Sequence, residues 1–84
     1  MKGILFADGF DEAIVGYCYN TGRVIYDVQK MIGVLVNRDE MDVDEAIEFL
    51  EYNTFGSYMG EGTPIYMNRS TKEYIEQEVA PLYE

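Results

Sequence analysis

The sequence predicts an α+β fold, in which a small antiparallel sheet packs with two or three helices on one of its faces. A pair of strand-like runs joined by a turn opens the chain, and two amphipathic helical patterns precede a short strand near residues 64–68. Hydrophobic residues make up 48% of the 84 residues, so we expect a single domain over residues 1–84 despite a net charge of −10.

The two strand-like runs, residues 13–19 and 23–26, are rich in β-branched and aromatic side chains. Between them, the cluster Asn20-Thr21-Gly22 supplies a glycine that can adopt positive φ. Runs of this kind separated by a short glycine-containing loop predict a β-hairpin. We also expect a further short strand at residues 4–7, ahead of the hairpin.

The first helix is predicted to begin after Asp27, whose residue type favours the N-cap position, and to end near residues 37–39. Its apolar side chains recur at i, i+3, i+4, i+7 and i+8, which places them on one helix face. These side chains are Val28, Met31, Ile32, Leu35 and Val36. Gly33 costs about 1 kcal/mol relative to alanine, and we expect it to permit a close approach to the sheet.

The second helix is predicted to begin at the N-cap Asp42, because Glu45 three residues later completes a capping box. Its apolar face is widened by Phe49, and the helix should run to about residues 52–54. The other apolar residues of this face are Val43, Ala46, Ile47 and Leu50.

The last third of the chain is predicted to hold a glycine-punctuated loop, a strand and a helix. The loop ends at Thr63-Pro64, and residues 65–67 should form a strand that pairs with one edge of the hairpin. Ser70 and Glu73 form a second capping-box pattern, which predicts a helix through about Val79. Pro81 is expected to stop that helix.

Composition excludes several classes of function. A net charge of −10 repels nucleic acid and anionic lipid, so neither nucleic acid nor a membrane is expected as a partner. The absence of His and the single Cys exclude a Cys–His or Ser–His arrangement, an internal disulfide and a Cys-based zinc site. We therefore expect no metal, no cofactor and no enzyme activity. No apolar run approaches the roughly 20 residues of a membrane span, which favours a cytoplasmic location, in the host cell.

The densest charge feature is an acidic cluster around the second helix. Two interpretations remain open: a solvated helix face whose first-turn acids suit the helix dipole, or an acidic surface presented to a basic partner. An EF-hand is excluded because the required oxygen ligands and glycine do not fall at its spacing. The candidate partner-binding acids are Asp39, Asp42, Asp44, Glu45, Glu48 and Glu51.

Eight tyrosines are many for this length. On a strand, Tyr17 and Tyr19 would share one face opposite Cys18, and they are candidate partner-binding or self-association residues because tyrosine is enriched in interfaces. The alternative is that the tyrosines complete a thin core. Cys18 has no neighbouring cation in the sequence that would lower its pKa, so we expect an inert thiol.

Two further motifs are interpreted as turns. The acids Asp8, Asp11 and Glu12 are expected to face water, since no pocket is indicated around them. Residues 60–64 lack the Lys-Ser/Thr of a phosphate loop and place Glu61 between two glycines. A small-ligand site at the loop of residues 56–64 is the least favoured hypothesis.

Residues 8–65 resemble a family of small bacteriophage open reading frames that includes marine and cyanophage examples. The resemblance implies a phage origin and no catalytic residues, and the tail from Met67 onward lies outside it. It rests on the segments at residues 8–14, 24–27 and 44–49, on Asn53, and on Gly60-Glu61 with Thr63-Pro64-Ile65.

Two functions follow from these patterns. The first is an acidic phage accessory protein that binds and inhibits or modulates a host or defence protein with a basic surface, with its charge imitating nucleic acid as a DNA mimic does. The second is a self-associating module, a homodimer formed through the hairpin edge or its tyrosines.

Overall fold

The structure is a computed structural model that describes residues 3–57 and 59–84. Strand β1 covers Ile14–Tyr17 and strand β2 covers Val24–Asp27. Helix α1 covers Val28–Arg38, helix α2 covers Val43–Leu50 and strand β3 covers Ile65–Met67. Two short helices, α3 at Lys72–Tyr74 and α4 at Ala80–Tyr83, end the chain. The predicted α+β class is confirmed.

The sheet has the strand order β1-β2-β3, with β2 in the centre. Strands β1 and β2 form the predicted antiparallel hairpin, and residues 65–67 pair with it as predicted, along β2. However, β3 runs parallel to β2, with Ile25 opposite Ile65 and Tyr26 opposite Tyr66. The sheet is therefore mixed rather than antiparallel throughout, because α1 and α2 form a crossover that returns the chain in the same direction.

The segment before the hairpin is irregular, so the strand predicted at residues 4–7 is wrong. Its backbone is held by single hydrogen bonds: Leu5 N–H donates to the Gly62 carbonyl at 3.3 Å. Ala7 N–H donates to the Tyr26 hydroxyl at 2.7 Å. These contacts anchor the segment across the core without a strand ladder.

Helix α1 begins and ends where the sequence predicts. The Asp27 carboxylate accepts hydrogen bonds from the backbone N–H groups of Gln29 and Lys30, at 2.9 and 3.3 Å. Met31 and Leu35 are buried on the face that the periodicity predicted. The expected role of Gly33 is wrong, since a Cβ added there would meet no atom within 4 Å apart from the local backbone of its own helix.

Helix α2 has the predicted capping box. Glu45 N–H donates to the Asp42 carboxylate at 2.8 Å, and Asp42 N–H donates to the Glu45 carboxylate at 3.1 Å. The helix continues beyond Leu50 as a π-helical turn, Glu51–Phe55, which agrees with the predicted end near residues 52–54.

The core lies between β2 and the pair of helices α1 and α2. Tyr26 is fully buried and contacts Tyr66, with ring centroids 5.9 Å apart, and Tyr66 contacts Phe55 at 4.8 Å. Of the seven tyrosines among the described residues, Tyr26 and Tyr66 thus complete the core. The buried apolar residues are Ala7, Phe10, Ala13, Val24, Tyr26, Met31, Leu35, Ala46 and Leu50.

The C-terminal helical segment, residues 72–83, differs from the prediction at both ends. Thr71, not Ser70, caps it, because Tyr74 N–H donates to the Thr71 hydroxyl at 3.2 Å. Pro81 does not stop it but lies in the first turn of α4. A π-helical turn, Ile75–Val79, precedes α4. There, the Ala80 N–H donates a hydrogen bond to the backbone carbonyl of Ile75, five residues earlier. This wider turn accommodates a proline, which the interior of a regular α-helix disfavours.

Candidate functional site

Three acidic side chains of α2 and of the π-helical turn that continues it point away from the core. Ala46 and Leu50 are fully buried, and they fix which side of α2 faces the body of the molecule. Asp44, Glu48 and Glu51 are three and four residues apart, so they occupy an arc of about 60° on the opposite side. All three are exposed. We call this trio the acidic face.

Among the described residues, the ion pairs are Arg38–Asp39 and Arg69–Asp27. In that part of the chain, none of the carboxylates of the acidic face forms an ion pair. Like charges at these helical spacings repel by a few tenths of a kcal/mol per pair. The fold therefore leaves these three carboxylates both accessible and mutually repelling.

The other predicted acids have local structural partners. Asp39 pairs with Arg38, whose hydrogen bond lowers the pKa of the Asp39 carboxyl. Asp42 and Glu45 are exposed but bond to each other's backbone in the capping box. Of the six predicted acids, three lie on the acidic face. The other three lie next to it and are held by an ion pair or by capping hydrogen bonds.

An aromatic side chain borders the acidic face. Tyr52 follows Glu48 by four residues, a spacing that places the two side chains on neighbouring parts of the helix surface, and its side chain is 82% exposed. A shallow depression beside it is lined by Met41, Phe49 and Asn53 along with acidic side chains. Tyr52 was not among the site residues predicted from the sequence, although its spacing of four residues from Glu48 is a signal visible there.

The predicted tyrosine pair does not share a strand face. Tyr17 ends β1, whereas Tyr19 lies in the hairpin turn beyond the strand. Both are exposed, and they lie on a different element from the acidic face. The structure thus places the two candidate tyrosines at the hairpin tip and does not join them with the acids.

Cys18 lies just past β1, in the hairpin connection. Hydrogen bonding by the Thr21 side chain lowers the pKa of the Cys18 thiol, and backbone hydrogen bonds from Thr21 and Asn20 act in the same direction. Arg23 adds a smaller electrostatic effect. The expectation that no cation acts on this thiol is therefore wrong, although the chain has no His that could act as its base.

An apolar pocket of about 380 Å³ lies between the N-terminal segment of residues 6–10, the end of α2 and the loop of residues 56–64, of which residue 58 lies outside the described part of the chain. Asp8 lines this pocket, so the expectation that no pocket lies near this acid is wrong. Arg38 lies at its margin, with the guanidinium 5.7 Å from the centroid of the Phe10 ring. Its N–H groups donate to the Gly9 carbonyl at 2.7 Å and to the Asp39 carboxylate at 3.0 and 3.1 Å. The guanidinium is thus largely committed to the protein itself.

The described part of the chain holds neither a metal-binding cluster nor a membrane-spanning helix. Among residues 3–57 and 59–84, no group of three or more His, Cys, Asp or Glu side chains is arranged to hold a metal ion. In the same part of the chain, none of the helices has the length and apolar character needed to cross a bilayer.

Comparison of the chain with protein-family models, with curated proteins and with solved structures finds no match in any of the three. The resemblance to small phage proteins therefore stays a prediction.

Proposed function

We propose that this chain is a small acidic accessory protein of phage origin that binds a basic surface on a host or defence protein and inhibits or modulates it. The observation that carries the proposal is the acidic face: Asp44, Glu48 and Glu51 are exposed on one side of a capped helix, with no basic partner in the described structure. Charges arranged this way are available to a second molecule.

The density of charge along α2 supports a partner that ordinarily binds nucleic acid. From Asp44 to Glu51, four carboxylates including Glu45 span about 10.5 Å of helix axis, so the mean spacing between neighbouring charges is roughly 3.5 Å. One strand of B-DNA carries one phosphate per about 3.4 Å. A basic groove that binds a phosphate backbone would therefore meet a similar linear density of negative charge along this helix.

The mode of action that follows is competition by binding rather than by catalysis. A net charge of −10 attracts a basic surface from a distance and raises the association rate. Once contact is made, the exposed ring of Tyr52 offers an apolar contact beside the charges, of the kind that anchors interfaces.

The test compares two neutralised variants of equal net charge. One carries Asp44→Asn, Glu48→Gln and Glu51→Gln on the acidic face. The matched control carries Asp8→Asn, Glu12→Gln and Glu61→Gln, three exposed acids from other parts of the chain. The intact chain and both variants are used to capture proteins from host lysate, and dissociation constants are then measured with each purified captured protein.

The expected result is that the acidic-face variant loses at least about tenfold in affinity while the matched control loses much less. Affinity of the intact chain should fall as salt rises, since the Debye length shrinks from about 10 Å at 0.1 M to about 3 Å at 1 M. Duplex DNA should compete for the captured protein. Salt-independent binding, or equal losses in both variants, would overturn the proposal.

A further inference from the structure

The C-terminal helical segment leaves large apolar side chains uncovered. None of its residues is buried, and Tyr74, Ile75, Leu82 and Tyr83 are 56%, 44%, 77% and 83% exposed. A helix of about 12 residues is marginally stable in water by itself. Its stability therefore calls for a surface that covers these side chains.

The π-helical turn brings part of this apolar surface into line. Ile75, Val79 and Tyr83 are four residues apart, and in a regular α-helix two such steps rotate the side chain by about 80°. The wider turn at Ile75–Val79 offsets much of this rotation. Accordingly, all three side chains line one groove of about 770 Å³, whose other wall includes Gln29 and Arg69.

The order of the charges along the segment, from its first turn to its end, does not stabilise the helix itself. Lys72 is in the first turn, and every charged residue after it is acidic, ending with Glu84. A helix dipole favours the reverse arrangement, with acids at the start and cations at the end. An antiparallel neighbour of the same sequence would place its Lys72 beside Glu84, whereas a uniformly basic partner would meet Lys72 and Arg69 at one end.

We propose that the apolar face of residues 72–83 is a dimer interface, in which this segment pairs antiparallel with the same segment of a second copy around a two-fold axis. The surface differs from the acidic face, so this inference is independent of the proposed function. The exposed apolar side chains of two copies offer on the order of 1,000 Å², the lower limit for a specific interface. The dimer is accordingly weak, with a dissociation constant on the order of 100 µM.

The first test is sedimentation equilibrium of the full chain in 0.15 M salt, where the Debye length of about 8 Å screens much of the repulsion between two copies. Leu82→Asp should weaken dimerisation at least about tenfold. Tyr52→Ser and Tyr19→Ser, which change exposed tyrosines on other elements, should leave it unchanged. Circular dichroism verifies that each variant keeps its fold, as expected for exposed positions.

The second test exchanges charges between the two ends of the segment. Lys72→Glu and Glu84→Lys should each weaken the homodimer by about two- to fivefold, because like charges then meet at both ends. A mixture of the two variants should form a heterodimer at least as tight as the wild-type dimer, because both end contacts are again between opposite charges. A chain that remains monomeric near 1 mM, dimerisation that Tyr19→Ser abolishes, or a mixture without recovery would each overturn the proposal.

Discussion

Asp27 connects three parts of the fold through one carboxylate. It is the last residue of β2 and the N-cap of α1, and its carboxylate accepts a hydrogen bond from the Arg69 guanidinium at 2.7 Å. Burial raises the pKa of the Asp27 carboxyl, but hydrogen bonds from Lys30 N–H, Arg69 and Gln29 N–H outweigh it, so the net shift is downward. The charged form of Asp27 therefore stabilises the folded state.

This arrangement predicts a pH-dependent effect of Asp27→Asn. Asparagine keeps an N-cap acceptor but loses the ion pair, so the free energy of unfolding should fall by about 1–2 kcal/mol at pH 7. A carboxyl whose folded pKa is lowered contributes fully above its unfolded pKa of about 3.9 and loses that contribution as the pH falls through the folded value.

Urea denaturation at pH 7, 5 and 3 measures this effect. The difference in unfolding free energy between wild type and Asp27→Asn should hold from pH 7 to 5 and narrow at pH 3. Asp8→Asn is the control, because Asp8 is an exposed acid that takes no part in the hydrogen bonds of the Asp27 carboxylate. A difference that stays constant across the three pH values would contradict the assigned role of the Asp27 charge.

At the scale of elements, two glycines have opposite surroundings, and this yields a matched pair of predictions. A Cβ at Gly33, within α1, would meet no atom within 4 Å apart from the local backbone of that helix, whereas a Cβ at Gly62 would overlap the Gly3 carbonyl oxygen. Gly33→Ala should raise the free energy of unfolding by about 0.5–1 kcal/mol, because alanine favours the helix. Gly62→Ala should lower it by about 1–3 kcal/mol, because the N-terminal segment must shift.

Thermal or urea denaturation of the two variants checks both signs. Since the substitution is the same, each variant serves as the control for the other. If Gly33→Ala lowered stability, α1 would have to pack against a surface that the structure does not place there.

The sequence allowed local features of the elements to be predicted but not features that depend on distant contacts. The capping box of Asp42 with Glu45 and the apolar face of α1 involve residues at most eight apart, and both were predicted correctly. The parallel pairing of β3 with β2 depends on the path of a 37-residue connection, 28–64, which periodicity does not encode. The choice of Thr71 over Ser70 as a cap and the π-helical turn before Pro81 depend on backbone geometry that residue types alone do not fix.

Prediction of the candidate site was limited in the same way. The outward position of Asp44, Glu48 and Glu51 follows from helical spacing alone. That Asp39 pairs with Arg38 depends on the rotamer that also brings the Arg38 guanidinium to Gly9, a contact between residues 29 apart. Tyr17 and Tyr19 were predicted on one strand, but β1 ends at Tyr17, so the alternation no longer applies to Tyr19.

At the scale of the whole molecule, the excess of negative charge should reduce stability. The chain has 16 acidic and 6 basic residues, and the described residues form two ion pairs. Such self-repulsion destabilises a compact state and is screened by salt. Within the acidic face, Glu48 and Glu51 lie beyond the first turn of α2, so the helix dipole does not offset their repulsion as it does for Asp44.

We therefore predict that the double variant Glu48→Gln and Glu51→Gln is more stable than wild type at low salt. Relief of like-charge repulsion of about 0.5–1 kcal/mol would raise Tm by roughly 3–6 °C. The control Asp8→Asn with Glu61→Gln removes the same net charge from other elements and should raise Tm less. Thermal denaturation at about 0.02 M and 0.5 M NaCl should show that the advantage shrinks at high salt. Lower stability of the double variant at low salt would instead assign these carboxylates a structural role and remove the main support for a binding surface on α2.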